Sequence, residues 1–331
     1  MPGRSSSTSA AAVSLSGQLL PGLRQLQETL PQSPQLNTLA AAIRDRHGDA
    51  VQAIVYYGSC LRSGKPDQGI ADFYVLVDSY QRAQMGRIRA WLNHWLPPNV
   101  FYLETAHRSQ DAATQTLRAK YAVISTAQFV HGVSGGWQLP YLWARFAQPA
   151  GLLWTRDGQI ADRVLRAMIA GQQHFLHESL ALMNKDFSAR ELWQQGLLHS
   201  YATELRAERL SRIKALYDCW PDYYARQTAV FMQAQAALQA DADGNYVWQA
   251  DAAGHAAARR RWQSRRRRGK LMSVLRLSKS LFTFSGAVDY AAWKVARHSG
   301  QPVQLSPLAR RWPLIGGWVV LWRLLRSGSL R

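Results

Sequence analysis

Cysteine is scarce. The chain has two, Cys60 and Cys219, with no CxxC spacing, which excludes a disulfide scaffold and a cysteine zinc site. A reducing compartment is the expectation that follows. Long hydrophobic runs are lacking as well. A membrane-spanning helix needs about 20 apolar residues. The nearest approach, Pro313–Leu325 (PLIGGWVVLWRLL), is shorter and carries Arg323, so it suits an interfacial segment better than a span. The N-terminal MPGRSSSTSAAAVSLSGQLL has no apolar block of signal-peptide length, and residues 1–17 read as a disordered lead-in. Acidic residues are also few, 21 against 40 Lys and Arg, for a formal charge of +19. A surplus of that size calls for an anionic partner: lipid, nucleotide phosphates or nucleic acid. It is unevenly spread, since residues 256–331 hold 17 Lys or Arg and one acid, Asp289.

What is present begins with amphipathic helical patches over 18–48, closed by Gly48. VQAIVYYG follows, short, β-branched and aromatic, and reads as a buried strand. SCLRSGKPDQG reads as a turn-rich loop, ADFYVLVDSY as a second buried strand, and NVFYLET as a third. Residues 80–96 have helical spacing and end at Pro97-Pro98. From about 108 the pattern reads as mostly helical: one block from Arg108 to Val133, another from Pro140 broken at Pro149, then long helices over 159–184, 189–217 and 221–240. A polar break, ADADGNYVWQADAAGHA, precedes the basic run RRRWQSRRRRGK and an amphipathic tail.

The chemistry concentrates where the first two strands meet. Gly58 lets a backbone approach phosphates closely. Exposed N–H groups and the Ser59 hydroxyl can hold phosphate oxygens, and Arg62 lies in the same loop. Asp72, opening an apolar strand, is costly to bury without a partner or metal and can hold Mg²⁺ (or Mn²⁺) against a triphosphate. This is the first half of the arrangement of polymerase-β-like nucleotidyltransferases. The usual second acid two residues on is absent: position 74 is Tyr. Asp78 is about 20 Å along the strand, so Glu104 on the next candidate strand is the expected second metal ligand. Lys120 is a candidate cation for the triphosphate. The histidines show no metal-binding spacing.

Six stretches, in order over about residues 50–300, resemble the mitochondrial-type phosphatidate cytidylyltransferases, the CDP-diacylglycerol synthases of translocator assembly and maintenance. They are YYGSCLRSG, ADFYVLVDSY, LRAKYAVIS, WQLPYLWARFAQPA, ELWQQGLLHSYATELRAE and SLFTFSGAVDYAAWKVARHSG. That family also lacks the acid at i+2 of its Asp strand. Cys60, Ala122 and Thr203-Glu204 depart from its pattern. The resemblance implies transfer from CTP to phosphatidic acid, giving CDP-diacylglycerol and pyrophosphate. It adds Tyr121, Tyr201 and Arg206 to the candidate substrate-binding residues.

The expected architecture is α+β. A nucleotidyltransferase domain with a small mixed sheet spans 18–150, a helical, winged-helix-like domain spans 151–240, and a basic amphipathic membrane-associating segment spans 241–331. The expected location is peripheral, on a cytoplasmic or matrix membrane face, with phosphatidic acid and anionic lipids as partners. Trp and Leu anchors beside the basic run favour membrane over nucleic acid. Two further readings remain open: a nucleotidyltransferase with another acceptor (another lipid, a small molecule or an RNA end), and a catalytically lapsed, membrane-bound nucleotide-binding scaffold.

Overall fold

The computed structural model describes residues 5–30, 33–65, 69–83, 85–108, 114–205, 208–236, 238–249 and 251–283, except for the side chains of 5–14, 235–236 and 281–283. In chain order the elements are α1 (Ser5–Thr29), α2 (Pro34–His47), β1 (Val51–Tyr57), α3 (Ser59–Ser63), β2 (Ala71–Val77), α4 (Arg87–Trp95), β3 (Asn99–Arg108), β4 (Thr114–Ser125), α5 (Thr126–His131), α6 (Trp143–Phe146), β5 (Gly151–Thr155), α7 (Gly158–Leu180), β6 (Phe187–Ser188), α8 (Ala189–Tyr201), α9 (Leu210–Asp218), α10 (Pro221–Ala236), β7 (Asn245–Tyr246) and α11 (Ala252–Thr283). Two compact units result: a sheet unit of residues 32–125 and 275–331, and a helical unit of 1–31 and 126–274. The α+β class with a small mixed sheet holds.

In the sheet unit the strands run in the order β3-β4-β2-β1. β1 and β2 are antiparallel, β2 and β4 parallel, β4 and β3 antiparallel. Strand residues alternate between faces. One face, with Phe73, Phe101, Leu117 and Tyr121, belongs to the core, and α2 packs beside it with Leu36, Leu39 and Ile43 buried. The sequence starts α2 cleanly: Ser33 caps it by accepting from the Leu36 N–H, and Pro34 sits in its first turn, where a missing N–H costs nothing. His47 at its far end bonds the Ala83 carbonyl (2.9 Å) and the Tyr121 hydroxyl (3.1 Å). Burial pulls the His47 pKa below its ordinary value and Arg46 adds to this, against the Ala83 carbonyl. A neutral imidazole therefore closes the core. The last described turns of α11 belong to the same unit. The Lys279 amino group donates to the carbonyls of Leu96 and Pro98 and to Asn93 Oδ1 at the carbonyl end of α4; burial, with Arg276 adding to it, brings its pKa down to about 7.

The helical unit packs α1, α7, α8 and α10 around Trp193. Its ring stacks on Phe175 (4.8 Å between centroids), meets Tyr224 (4.5 Å) and donates to Thr228 Oγ1 at 2.9 Å. Gly196 permits the close α7–α8 approach, because a Cβ there would lie 2.0 Å from Ser179 Oγ. Phe187 and Ser188 pair with Tyr246 and Asn245 as a short antiparallel ribbon.

Several expectations are corrected. The chain is helical from Ser5, and α1 buries Leu15, Leu19, Leu23 and Leu26, so residues 5–17 are no loose lead-in. The boundary expected at 150 falls after Ser125, and α1 goes with the helical unit. The block from Arg108 to Val133 is not one helix: residues 114–125 are the strand β4. Its Ala, Arg, Lys and Gln favour helix in isolation, but it pairs on both sides, with β2 and with β3, and tertiary pairing overrides propensity. The helix expected over 80–96 is confined to 87–95, and 189–217 divides into α8 and α9. The basic run RRRWQSRRRR is not a free tail. It lies in α11, where Trp262 is buried and Arg265 makes a two-pronged pair with Glu178 at 2.6 and 3.0 Å. The remaining tail, 284–331, including Pro313–Leu325, lies outside the described residues. Among the described residues no helix is long and apolar enough to cross a membrane.

Candidate active site

The site is built on the sheet face opposite α2. Register places Tyr57 opposite Asp72, Asp72 opposite Lys120, and Lys120 opposite Tyr102. Cross-strand partners share a face, so one row of four strands carries Tyr57, Asp72, Lys120 and Tyr102. The Asp72 carboxylate and the Lys120 ammonium are 3.7 Å apart, with side chains 23% and 38% exposed. That is a loose pair at the edge of solvent, with no direct hydrogen bond between the two charges.

Gly58 ends β1 with φ +92°, a conformation that L side chains rarely adopt. A Cβ there would sit 2.7 Å from Asp72 Oδ2. The backbone of the Gly-Ser turn is therefore laid directly against the carboxylate, and only glycine allows it. Ser59 opens α3 exposed to solvent, and Arg62 in its last turn is half-buried. The expected loop is thus partly a short helix. Tyr74, where a second acid would stand, is buried, its ring 5.4 Å from that of Tyr57, and it makes an aromatic floor beside Asp72. On the other face the Tyr56 hydroxyl is driven above the ordinary phenol range by burial, with Cys60 and the Asp72 charge adding to it.

Two expected residues are not brought to Asp72. Glu104 lies opposite Arg118, pairs with it at 3.0 Å and accepts from the Tyr102 hydroxyl at 2.7 Å. Because β4 stands between β3 and β2, Glu104 is two strand spacings and two residues away from Asp72, roughly 12 Å. Reading 114–125 as helix hid that intervening strand. Tyr121 follows Lys120 and so faces the other way: it is buried, stacked on Phe101 at 5.4 Å and bonded to His47. Burial pushes its hydroxyl up to about 12, against Arg46. Tyr201 lies in the helical unit at the end of α8, where Gln148 donates to its hydroxyl (3.4 Å) near the Arg145–Glu204 pair (3.1 Å). Arg206 lies outside the described residues.

Tyr57, expected at the site with Gly58 and Ser59, does share the face of Asp72. Arg118 belongs to the same face without having been singled out for it; alternation would have found it, two residues from Lys120, once β4 was read as a strand. An open cavity of about 930 Å³, lined among others by Asp78, Tyr80, Arg87, Trp91 and Ser125, lies at the opposite end of β2 from Asp72. It is a separate feature.

Mg²⁺ fits this donor set in one manner. Among the described residues no three His, Cys, Asp or Glu side chains gather to hold an ion. Asp72 is one partly exposed carboxylate, and Mg²⁺ is commonly bound by one or two carboxylates together with substrate phosphates. The site suits an ion that arrives with a triphosphate rather than a resident one.

No protein-family model matches the chain, and no curated protein matches it. Among solved structures it is similar to a nucleotidyltransferase-like protein from Exiguobacterium sibiricum 255-15, with 10% sequence identity and a TM-score of 0.25, covering 89% of this chain and 92% of that one. At that score the two backbones do not superpose residue on residue, and the site stands on its own geometry.

Proposed function

We propose that the chain is a nucleotidyltransferase whose acceptor is phosphatidic acid, converting CTP and phosphatidic acid to CDP-diacylglycerol and pyrophosphate at a membrane surface. The observation that carries the nucleotidyl-transfer part is the contact of the Gly58 backbone with the Asp72 carboxylate, beside Lys120. A glycine that cannot be replaced, a carboxylate and a cation then surround one point on the sheet face, at the edge of solvent. The lipid part is supported by the six sequence stretches that resemble phosphatidate cytidylyltransferases and by the charge of +19.

In this reading a phosphate oxygen of phosphatidic acid attacks the α-phosphorus of CTP. A new P–O–P bond forms, the α–β bridging bond breaks, and pyrophosphate leaves with the electron pair. The turn at Gly58-Ser59 positions the phosphates, with Arg62 at its rim. Lys120 is the counter-charge of Asp72 and would neutralise the departing pyrophosphate. Asp72 would hold that ion, which supplies charge neutralisation on the phosphoryl oxygens. The residues mainly position and stabilise charge, and no covalent enzyme intermediate is needed.

Purified full-length protein given each of the four nucleoside triphosphates, phosphatidic acid and Mg²⁺ should make CDP-diacylglycerol from CTP. Asp72→Ala should abolish the product while the melting temperature holds. Full activity in Asp72→Ala would remove the site from the reaction. Turnover with a different acceptor or base would keep the site and change the substrate.

A further inference from the structure

Helix α4 is built inside out. Its sequence is RIRAWLNHW. The residues it buries are Ala90 and Asn93, one small and one polar. The residues it exposes are Ile88, Trp91 and Trp95, at 76%, 63% and 71% of their surface. At about 100° per residue these three fall within roughly 60° of arc, on the side opposite Ala90 and Asn93. An ordinary surface helix turns its apolar stripe to the core. Here the core side is fixed by Asn93, which donates to the Val123 carbonyl at 2.9 Å and also meets Lys279.

We infer that this face of α4 is a docking surface for an anionic phospholipid bilayer. Four observations single out that occupant. Tryptophan and an aliphatic residue on one narrow stripe match the interfacial zone of a membrane. Arg87 borders the stripe, Arg87 and Arg89 are both exposed, and α4 contains no acid, so its charge complements anionic headgroups. Lys279 ties the end of α11 to the carbonyl end of α4, and on those turns Leu275 and Leu277 are 46% and 58% exposed. An aliphatic side chain, Ile88, on the same stripe as the tryptophans suits a lipid surface; a nucleic-acid platform would use aromatic rings and cations. Finally, the helix is nine residues long, about 13 Å, which allows shallow insertion parallel to a membrane plane. The large cavity shares Ile88, Trp91 and Arg87 with this face.

The inference rests on the lipid-surface part of the function proposed above and not on the nucleotidyl chemistry. The test uses the full chain, phosphatidylcholine–phosphatidic acid vesicles and pure phosphatidylcholine vesicles. The triple variant Ile88→Glu/Trp91→Glu/Trp95→Glu changes only exposed positions. It should lose vesicle partitioning by roughly tenfold or more and keep the wild-type melting temperature. In a second arm, Trp91→Cys in a Cys219→Ser background carries a polarity-sensitive dye, Cys60 being buried. The dye should shift to the blue on adding anionic vesicles and remain water-like without them.

Equal flotation of wild type and triple variant would overturn the inference and leave the lipid acceptor standing. Failure of the wild type to float would remove the lipid-surface part of the proposed function as well. A dye already dry without vesicles would show that the face is covered by residues 284–331 or by a second copy, which also overturns it. So would protection of the dye by single-stranded RNA in place of vesicles.

Discussion

Two ion pairs, one in each unit, show how the same chemistry serves different ends. In the helical unit, Arg265 donates to both oxygens of Glu178 at 2.6 and 3.0 Å, and both side chains are only 13% exposed. The guanidinium lies over the rings of Trp262 and Trp143, at 4.9 and 5.5 Å, and its Nε donates to the Gln138 carbonyl. Both charges there are fully engaged. In the sheet unit, Asp72 and Lys120 stand 3.7 Å apart, with side chains 23% and 38% exposed. A pair bound on every side is committed to holding helices together. A pair held loosely at the rim can exchange its partner for a substrate at small cost, because the direct attraction of exposed charges is weak.

The comparison can be tested by removing one member of each pair. Asp72→Asn should lower turnover by about 10²- to 10³-fold, as expected when a principal charge-stabilising group is lost, with the melting temperature nearly unchanged. Comparable losses of stability and activity would mean that the sheet pair is structural after all. Glu178→Ala should do the reverse: a loss of about 3 kcal/mol in denaturant unfolding, since the Arg265 charge would be left buried without its partner, while turnover per folded molecule is retained.

The same pair sets an acid limit. Burial alone would raise the Glu178 carboxyl, but Arg265, then Arg261 and His174, outweigh it and hold it below its ordinary 4.5. A folded pKa below the unfolded one contributes stability that is complete above about 4.5 and fades as pH falls through the folded value. Thermal melting between pH 3 and 6, wild type against Glu178→Gln, should show that acid-side loss in the wild type and a flatter profile in the variant.

Smaller effects sharpen the contrast. Lys120→Gln should cost about tenfold to a hundredfold in turnover. It should also tighten Mn²⁺ binding measured in the absence of nucleotide, because the resident cation no longer competes for Asp72. Weaker Mn²⁺ binding would mean that Lys120 supports the carboxylate instead of occupying it. Asp218→Ala breaks an exposed pair with Arg190 and should change stability by less than about 1 kcal/mol, the baseline against which the Glu178 loss is read.

The parts of this molecule that sequence made legible are those where composition and alternation agree. VQAIVYY and ADFYVLV are β-branched and aromatic and are strands; Pro97-Pro98 ends a helix; Gly58 and Asp72 do meet. The main failure at the site traces to one strand. TQTLRAKYAVIS carries helix-forming residues at its start, and only its position between two other strands makes it extended. With it misread, Glu104 is expected beside Asp72, and the inward turn of Tyr121, which the resemblance offers as a binding residue, goes unseen. Neither distance nor face can be inferred for residues on a strand whose neighbours are unknown. The inward turn of Arg265 was hidden for a related reason: a basic run says nothing of which arginine finds a glutamate 87 positions earlier.

Helix α11 supplies both units, Arg265 to one and Lys279 to the other. On the ribosome this imposes an order. The strands of the sheet unit are complete at residue 125, yet the lysine that closes α4 is made 154 residues later (279 minus 125). At roughly 5–20 residues per second, a nascent sheet waits on the order of ten seconds with that helix end uncapped. During that interval Ile88, Trp91 and Trp95 are already synthesised, so a chaperone or a membrane has time to engage α4 before the protein is finished.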